Sequence, residues 1–478
     1  SYRNRNPYDA DNDGFSELGK LNMNTFGLRS YYRPTQFSRI SLEYHTTNEF
    51  RRGGNKFDLQ PHETDITEQT KHIINSGGLT YDVFFNEYRH KLSVYGSAQH
   101  TDRNSYYGAD KNANAYGKTK DLTAVGGAMY VGNMDDCLFS PATFTGGVEY
   151  NYNSLHDVMT GYNRDLRQYV RIFSGFAQNE WKMTYFTLLA GFRLDKHNLI
   201  DNIIFSPRVN LLWKPTDKIQ GRLTWSTGFR APQAYDEDLH VAAVGGEAMI
   251  IRLADGLKPE RSNSFSGSVD WGFNFGHFQS NLLVEGFYTS LDNVFYLTKV
   301  GTDADTGAEI QERRNGYGAR VYGANIDYKI AHGREAQLQL GFTVQRSRYT
   351  EAVSWSEDQD VDPIKRMPRT PDYYGYFTFT SAPLKNFDFS LSGVYTGKMV
   401  VPHFAGYIEK DRLEHTPNFM ELNLKLNYTF VLNDHLKLQL NGGVQNMFNA
   451  FQKDLDRGAL RDSKYFYCLL YTSDAADE

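Results

Sequence analysis

The chain has 478 residues, a formal net charge of −6 and a mean hydropathy of −0.58. No apolar run approaches the roughly 20 residues of a membrane-spanning helix, and Lys and Arg do not gather into one stripe, so a helical membrane protein and a nucleic-acid partner are both disfavoured. The 33 Tyr, 32 Phe and 41 Gly, with only 14 Pro, point to an all-β protein.

The first motif is "YDADNDGFSEL", Tyr8 to Leu18. Asp9, Asp11 and Asp13 alternate and Gly14 follows. Carboxylates at the first, third and fifth places before a sharp glycine turn form the first half of a calcium loop. A complete EF-hand loop would place a bidentate Glu at the twelfth position, where this chain has Lys20. The candidate calcium ligands are Asp9, Asp11 and Asp13, the Phe15 carbonyl and Glu17. Calcium takes about 6–8 oxygens, so a second loop must contribute, and the region of Asp58 and Asp65 is the expected donor. The competing reading is a solvated Asp/Asn/Gly turn.

Strands of period two follow, and their connections alternate in length. "RPTQFS", "FFNEYRH", "KPTDK" and "APLKN" are short; "FRRGGNKFDLQPHETDITEQT", "YYGADKNANAYGK", the stretch from Gln233 to Lys258 and "VSWSEDQDVDPIKRMPRTPD" are long. Short turns at one end and long polar loops at the other are the signature of an outer-membrane barrel. Its low hydropathy then follows from a wet lumen and hydrophilic loops. Tyr31-Tyr32, Phe84-Phe85, Tyr106-Tyr107 and Tyr373-Tyr374 are expected in the interfacial girdles.

"FSPRVNLLWKPTDKIQGRLTWSTGFRAP" ends in Phe229, Arg230, Ala231 and Pro232. After a long loop, Leu257, Lys258, Pro259 and Glu260 open the next strand. Within that loop "AVGGEA" follows no βα unit and predicts no phosphate cradle. Near the far end, "MELNLKLNYTF" puts Met420, Leu422, Leu424 and Leu426 on one face, expected to meet lipid. Glu421, Asn423 and Lys425 fall on the other, expected to face the lumen. "GVQNMFNAF" comes last. About 18 strands are expected between Leu21 and Gln452, with a further one starting near Tyr465.

The final "CLLYTSDAADE", residues 468–478, resembles a translated sequencing-library adapter and is expected to be a non-native tail. Without it only Cys137 remains, which leaves no disulfide framework and no CxxC metal site.

The GFRAP strand end, the long loop, the LKPE strand start and the "NMFN" segment, in this order and spacing, resemble the barrel of the TonB-dependent outer-membrane receptors. The resemblance runs over residues 1–467. It implies a transmembrane antiparallel β-barrel of which this chain holds about 18–19 of 22 strands, with the plug domain absent. The implied setting is the bacterial outer membrane, with membrane lipid, an inner-membrane TonB complex and a small metal chelate as partners. A surface lipoprotein is a further candidate partner. The implied activity is energy-coupled import without covalent chemistry. No nucleophile–base constellation is legible, and no enzyme or catalytic cofactor is expected.

For the ligand, cobalamin or a related corrinoid is expected first, because cobalamin transporters of this family hold calcium in early extracellular loops. A ferric siderophore comes second and haem third, and a passive porin or a barrel enzyme lower still. Tyr235, Asp236 and His240 are the candidate substrate-loop residues. His240 lies where haem receptors of the family place an axial histidine. Ala254-Asp255-Gly256-Leu257 departs from the companion motif of those receptors, so an exposed loop histidine is expected.

Overall fold

The computed structural model describes residues 1–9, 12–232, 249–305, 307, 309–356, 358, 360–458, 460–462 and 465–467. Asp11, Tyr235, Asp236, His240 and the tail 468–478 lie outside the described residues.

The period-two pattern forms one continuous antiparallel meander. Among the described residues its main sheet has 20 strands, in which each long strand pairs with the next in sequence. The short segments Tyr2–Arg5 and Ile364–Arg366 belong to it at its margins. That leaves eighteen between Lys20–Tyr32 and Lys437–Val444, as the alternation predicts. Among the described residues no ladder joins Tyr2–Arg5 to Lys437–Val444, so the wall is open along that seam. Of the further strand expected near Tyr465 only residues 465–467 are described, and these are not paired in a ladder. Tyr465 and Tyr467 instead pack with Met399 and Val401, because buried apolar contact holds these rings where no ladder partner lies beside them.

Each long strand has one greasy and one wet face. Leu424 pairs with Leu391 on one side and Val444 on the other. A Cβ on Gly393 would come within 3.0 Å of Met420 Cε, which puts Met420 on that same face. On the opposite face the Asn423 amide donates to Glu421 at 2.8 Å, and Asn427 meets Asp388. The apolar face is largely exposed: Phe265, Val269, Trp271 and Val284 are among its bare side chains.

The polar face is where burial occurs. Asp82, Asp157 and Asp195 are each only 1% exposed. Asp82 takes Arg39 at 2.8 Å, Lys91 at 3.0 Å and the Ser93 hydroxyl at 2.7 Å. Asp195 takes the Ser174 hydroxyl at 2.6 Å and Arg193 at 2.8 Å, and Arg193 reaches on to Glu149 at 2.9 Å. Asp157 accepts from Thr119 at 2.5 Å and lies 3.0 Å from Arg164 and 3.8 Å from Arg103. Removing one partner from such a buried group costs about 3–5 kcal/mol, because the remaining charge stays buried and uncompensated.

Crossing a bilayer takes about 9–11 tilted residues. Strands of 20 and 22 residues, such as Ile66–Phe85 and Tyr116–Cys137, therefore project past it. This projection corrects one girdle assignment. Tyr31-Tyr32 and Phe84-Phe85 end strands at the short-turn side, but Tyr106 and Tyr107 are buried near a long-loop end. Tyr106 packs against Ala115, Leu155, Met159 and Tyr162 and donates to the Asn112 carbonyl at 2.9 Å, so it closes a loop base rather than marking an interface.

The two faces predict different tolerance to charge. Val269 sits between the aromatic levels of Phe265 and Trp271 on the apolar face, and Ser268 faces the other way. Val269→Arg should destabilise a bilayer-inserted barrel by about 2–4 kcal/mol. Ser268→Arg should cost much less, read from urea-induced unfolding in lipid vesicles. Equal costs at the two positions would contradict the assignment of faces.

Candidate functional site

In an antiparallel meander, alternate connections leave the same end. Residues 6–19, 55–65, 231–259, 293–318, 354–372 and 397–418 therefore share one rim, and the turns at 33–37, 86–89, 217–218, 276–277 and 385–386 share the other. The neck of the acidic motif at Tyr8 and Leu18 and the roots of the FRAP–LKPE loop at Ala231 and Lys258 thus lie on the same side. Three of the long connections form strands outside the main sheet. Met249–Leu253 pairs in parallel with Glu309–Asn315, which pairs in turn with Phe295–Thr302. Val400–His403 forms a hairpin with Arg412–His415.

The acidic loop is closed at its neck, where Tyr8 and Leu18 exchange backbone hydrogen bonds of 2.9 and 3.1 Å. Asp9 accepts the Gly14 N–H at 2.8 Å and Asp13 accepts the Phe15 N–H at 2.8 Å, which winds the chain inward. Gly14 has φ +91°, a conformation that suits glycine. Asp9, Asp13 and Glu17 each bring one carboxylate oxygen within 4.8 Å of the others. The second Asp9 oxygen is shielded from solvent and has no hydrogen bond among the described residues.

A cation from the far end of the chain faces this cluster. The Arg461 guanidinium is 3.7 Å from Asp13 and 3.8 Å from Glu17, and it stacks over the Phe15 ring at 4.5 Å. The Gly458 N–H donates to Asp13 at 2.8 Å. Phe15 thus supplies a ring as platform for the guanidinium. Asp65 is otherwise engaged: it binds Lys56 and Asn55, which hold its carboxyl below the usual range. The contact between the first two long loops runs instead through the Ser16 N–H to the Gly54 carbonyl at 2.9 Å.

The segment that carries Arg461 is anchored by a second cluster. His403, 3% exposed, places Nε2 2.9 Å from Asp456 and Nδ1 3.8 Å from Glu414. Its ring stacks flat on Tyr465 at 3.7 Å. Burial and then the hydrogen bond to Asp454 push the Tyr465 phenol well above its ordinary range. The Phe404 N–H donates to Asp462 at 3.0 Å, and the Asp462 N–H to Asp456 at 2.9 Å.

The FRAP and LKPE residues meet as cross-strand partners. Arg230 pairs in register with Glu260, with their charged groups 3.7 Å apart, and its guanidinium lies 6.0 Å from the Phe295 ring centre. Glu260 also accepts the Phe295 N–H at 2.5 Å. The Lys258 backbone is gripped at both polar groups by Asn315, each at 2.8 Å. Ala231 is buried with Ile200 and Ile204, and Phe229 packs against them. These motif residues fasten the roots of two long loops. Sequence reasoning missed Arg461, His403 and Asp456. No local signal marks them, because their partners lie far away in the chain.

Comparison with known proteins places these features. The sequence family described as "TonB dependent receptor-like, beta-barrel" matches residues 1–447. The iron-regulated outer membrane virulence protein of Vibrio cholerae serotype O1 is 27% identical over 334 residues, 67% of this chain and 47% of that protein. The chain therefore spans about half the length of this curated relative. Among solved structures, the siderophore receptor PirA from Acinetobacter baumannii superposes with a TM-score of 0.66 at 14% identity, covering 97% of this chain and 77% of that one. The FrpB iron transporter from Neisseria meningitidis (F3-3 variant) gives 0.67 at 16% identity, covering 94% and 72%.

Arg461→Ala should release the acidic loop from the distant segment. Hydrogen exchange at the Tyr8 and Leu18 amides should accelerate about tenfold, the equivalent of roughly 1.4 kcal/mol for a charge-assisted contact. Unchanged exchange would show that the loop holds itself without Arg461.

Proposed function

The chain belongs to the TonB-dependent receptor β-barrel family of the bacterial outer membrane, and on that premise we propose that it forms the wall and outer rim of a receptor that captures a metal chelate and imports it. The carrying observation is the family match over residues 1–447, laid on a wall whose long connections all rise from one end. Such a rim captures a scarce solute by contact. The polar inner face offers a wet path lined with paired charges of both signs, and release inward is driven through the inner-membrane TonB complex. The reading assigns no covalent chemistry and no catalytic residue.

A ferric siderophore is the ligand class we favour. The Vibrio relative is named for iron regulation, PirA as a siderophore receptor and FrpB as an iron transporter. The cobalamin expectation rested on the acidic loop, and Arg461 already supplies that loop with positive charge. In a strain stripped of its own iron-chelate receptors, the complete gene should restore growth on a ferric siderophore, and deletion of TonB should abolish that growth. Growth supported by cobalamin but by no ferric chelate would overturn the iron assignment.

For the acidic loop we propose calcium binding in exchange for Arg461. The supporting observation is the shielded Asp9 oxygen without a hydrogen bond, beside Asp13 and Glu17. Those three carboxylates would hold the ion, and water or backbone oxygens would complete its shell. Bound calcium would replace a swinging side chain by a fixed charge and stiffen the rim. Terbium luminescence, excited through nearby tyrosines, should rise several-fold in affinity on Arg461→Ala and disappear in Asp9→Asn with Asp13→Asn. Absence of luminescence in both the wild type and Arg461→Ala would reduce the motif to an arginine-bound turn.

A further inference from the structure

The apolar face of the wall changes character abruptly near the rim. On the strands Glu260–Phe275, Phe278–Asp292, Ala319–His332 and Ala336–Val353, that face carries Phe265, Tyr288, Tyr322 and Val344, all exposed. One position further toward the long loops, at i+2 or i−2, it carries Asn263, Ser290, Arg320 and Arg346, and then Arg348. The ladder sets Ser290 opposite Arg320, Arg320 opposite Arg348 and Arg348 opposite Arg366. Three guanidinium side chains therefore start from one line across adjacent strands. Directly opposed side chains of a ladder begin about 4.5–5.5 Å apart, and like charges placed so destabilise it.

Part of this charge is balanced. Asp372 pairs with Arg346 at 2.5 Å and with Arg366 at 3.1 Å, and Arg346 lies over the Tyr373 ring. Arg320 and Arg348 are exposed and have no ion pair among the described residues. They form a fork that an anion would satisfy.

Immediately below the fork, toward the short-turn end, the same face holds a groove of about 670 Å³. Gly267 and Gly286, direct cross-strand partners, make its floor. Trp225, Phe265, Tyr288 and Tyr322 form one cross-strand row at its long-loop end, in which Trp225 stacks with Phe265 at 6.4 Å and Tyr288 with Tyr322 at 6.3 Å. A Cβ placed on Gly286 would meet nothing within 4 Å, so the floor is open to an occupant.

We propose that this is a binding site for one phosphorylated glycolipid of the outer leaflet, of the lipid A type. Its phosphate sits between Arg320 and Arg348, and an acyl chain lies on the glycine floor. The proposal rests on the membrane-barrel reading. Two observations favour a lipid over a soluble phosphate or a protein. The groove is continuous with the apolar face that meets the bilayer, and the fork stands one residue pair, about 7 Å, above the aromatic level, at headgroup height. Arginine is the suited donor, because its planar fork grips phosphate oxygens in pairs.

The test uses the full-length receptor purified in a neutral detergent and mixed with lipid A or with phosphatidylcholine, read by native mass spectrometry. One lipid A per receptor should survive where phosphatidylcholine does not. Arg320→Ala with Arg348→Ala should lower its retention at least tenfold, and the Arg→Lys pair should restore part of it. Gly286→Leu leaves both arginines and fills the groove, and it should lower retention at least threefold. Equal retention of the two lipids, or retention unchanged in the arginine pair or in Gly286→Leu, would overturn the site. Protease protection in proteoliposomes reads insertion separately. A protected barrel indifferent to lipid A sinks the lipid site alone, and an unprotected one sinks the membrane reading with it.

Discussion

A peptide group inside a bilayer finds no water, so each N–H and C=O must be paired by the protein itself. An antiparallel meander meets that demand for each strand it flanks on both sides, which among the described residues holds for every long strand except Lys437–Val444. The rest of this structure follows from it. Sequential pairing forces the connections to alternate between ends, and alternation collects the long loops at one rim. The same pairing sends successive side chains to opposite faces, which lets one strand serve lipid and lumen together. Leu424 and Lys425 are neighbours in the chain and belong to different solvents.

The polar face shows how such a wall handles buried charge. Asp82, Asp157 and Asp195 are among the least accessible side chains, yet each meets a cation and a hydroxyl from the same or adjoining strands. The hydroxyl matters as much as the cation, because a carboxylate has more lone pairs than one guanidinium satisfies. Ser93 and Thr119 donate to an oxygen of Asp82 and Asp157 that the guanidinium leaves, whereas at Asp195 Ser174 and Arg193 share one oxygen. These polar contacts tie neighbouring strands together on the inner face, in addition to the backbone ladder.

What the sequence shows of this fold is what is local in the chain. Period two and turn chemistry are visible over ten residues, so eighteen long strands and the alternation of connections could be read directly. The turn at Asp9, Asp13 and Gly14 was legible for the same reason, since these residues act within one short stretch. Burial at the rim was not legible. Tyr106-Tyr107 has the composition of an interfacial pair, and only the projection of its strand past the membrane puts it under a loop. The partnership of Asp13 with Arg461 spans nearly the whole chain, and nothing near either residue announces it. The same holds for His403 with Asp456 and for the row Arg320, Arg348 and Arg366. Each of those arginines reads alone as an ordinary loop-proximal charge, and the row exists only in register.

The parallel pairing of Met249–Leu253 with Glu309–Asn315 has a mechanical consequence. It stitches the connection 231–259 to the connection 293–318, and Asn315 bolts their roots together by clasping Lys258. The described strands of the two connections, Met249–Leu253, Phe295–Thr302 and Glu309–Asn315, thereby form one flap on a common mount. A flap moves with fewer degrees of freedom than two tethers, so it closes at a smaller entropic cost and transmits a push at one corner to the other. A solute touching either loop would load both, and a lesion in one strand of the flap would be felt across the whole of it.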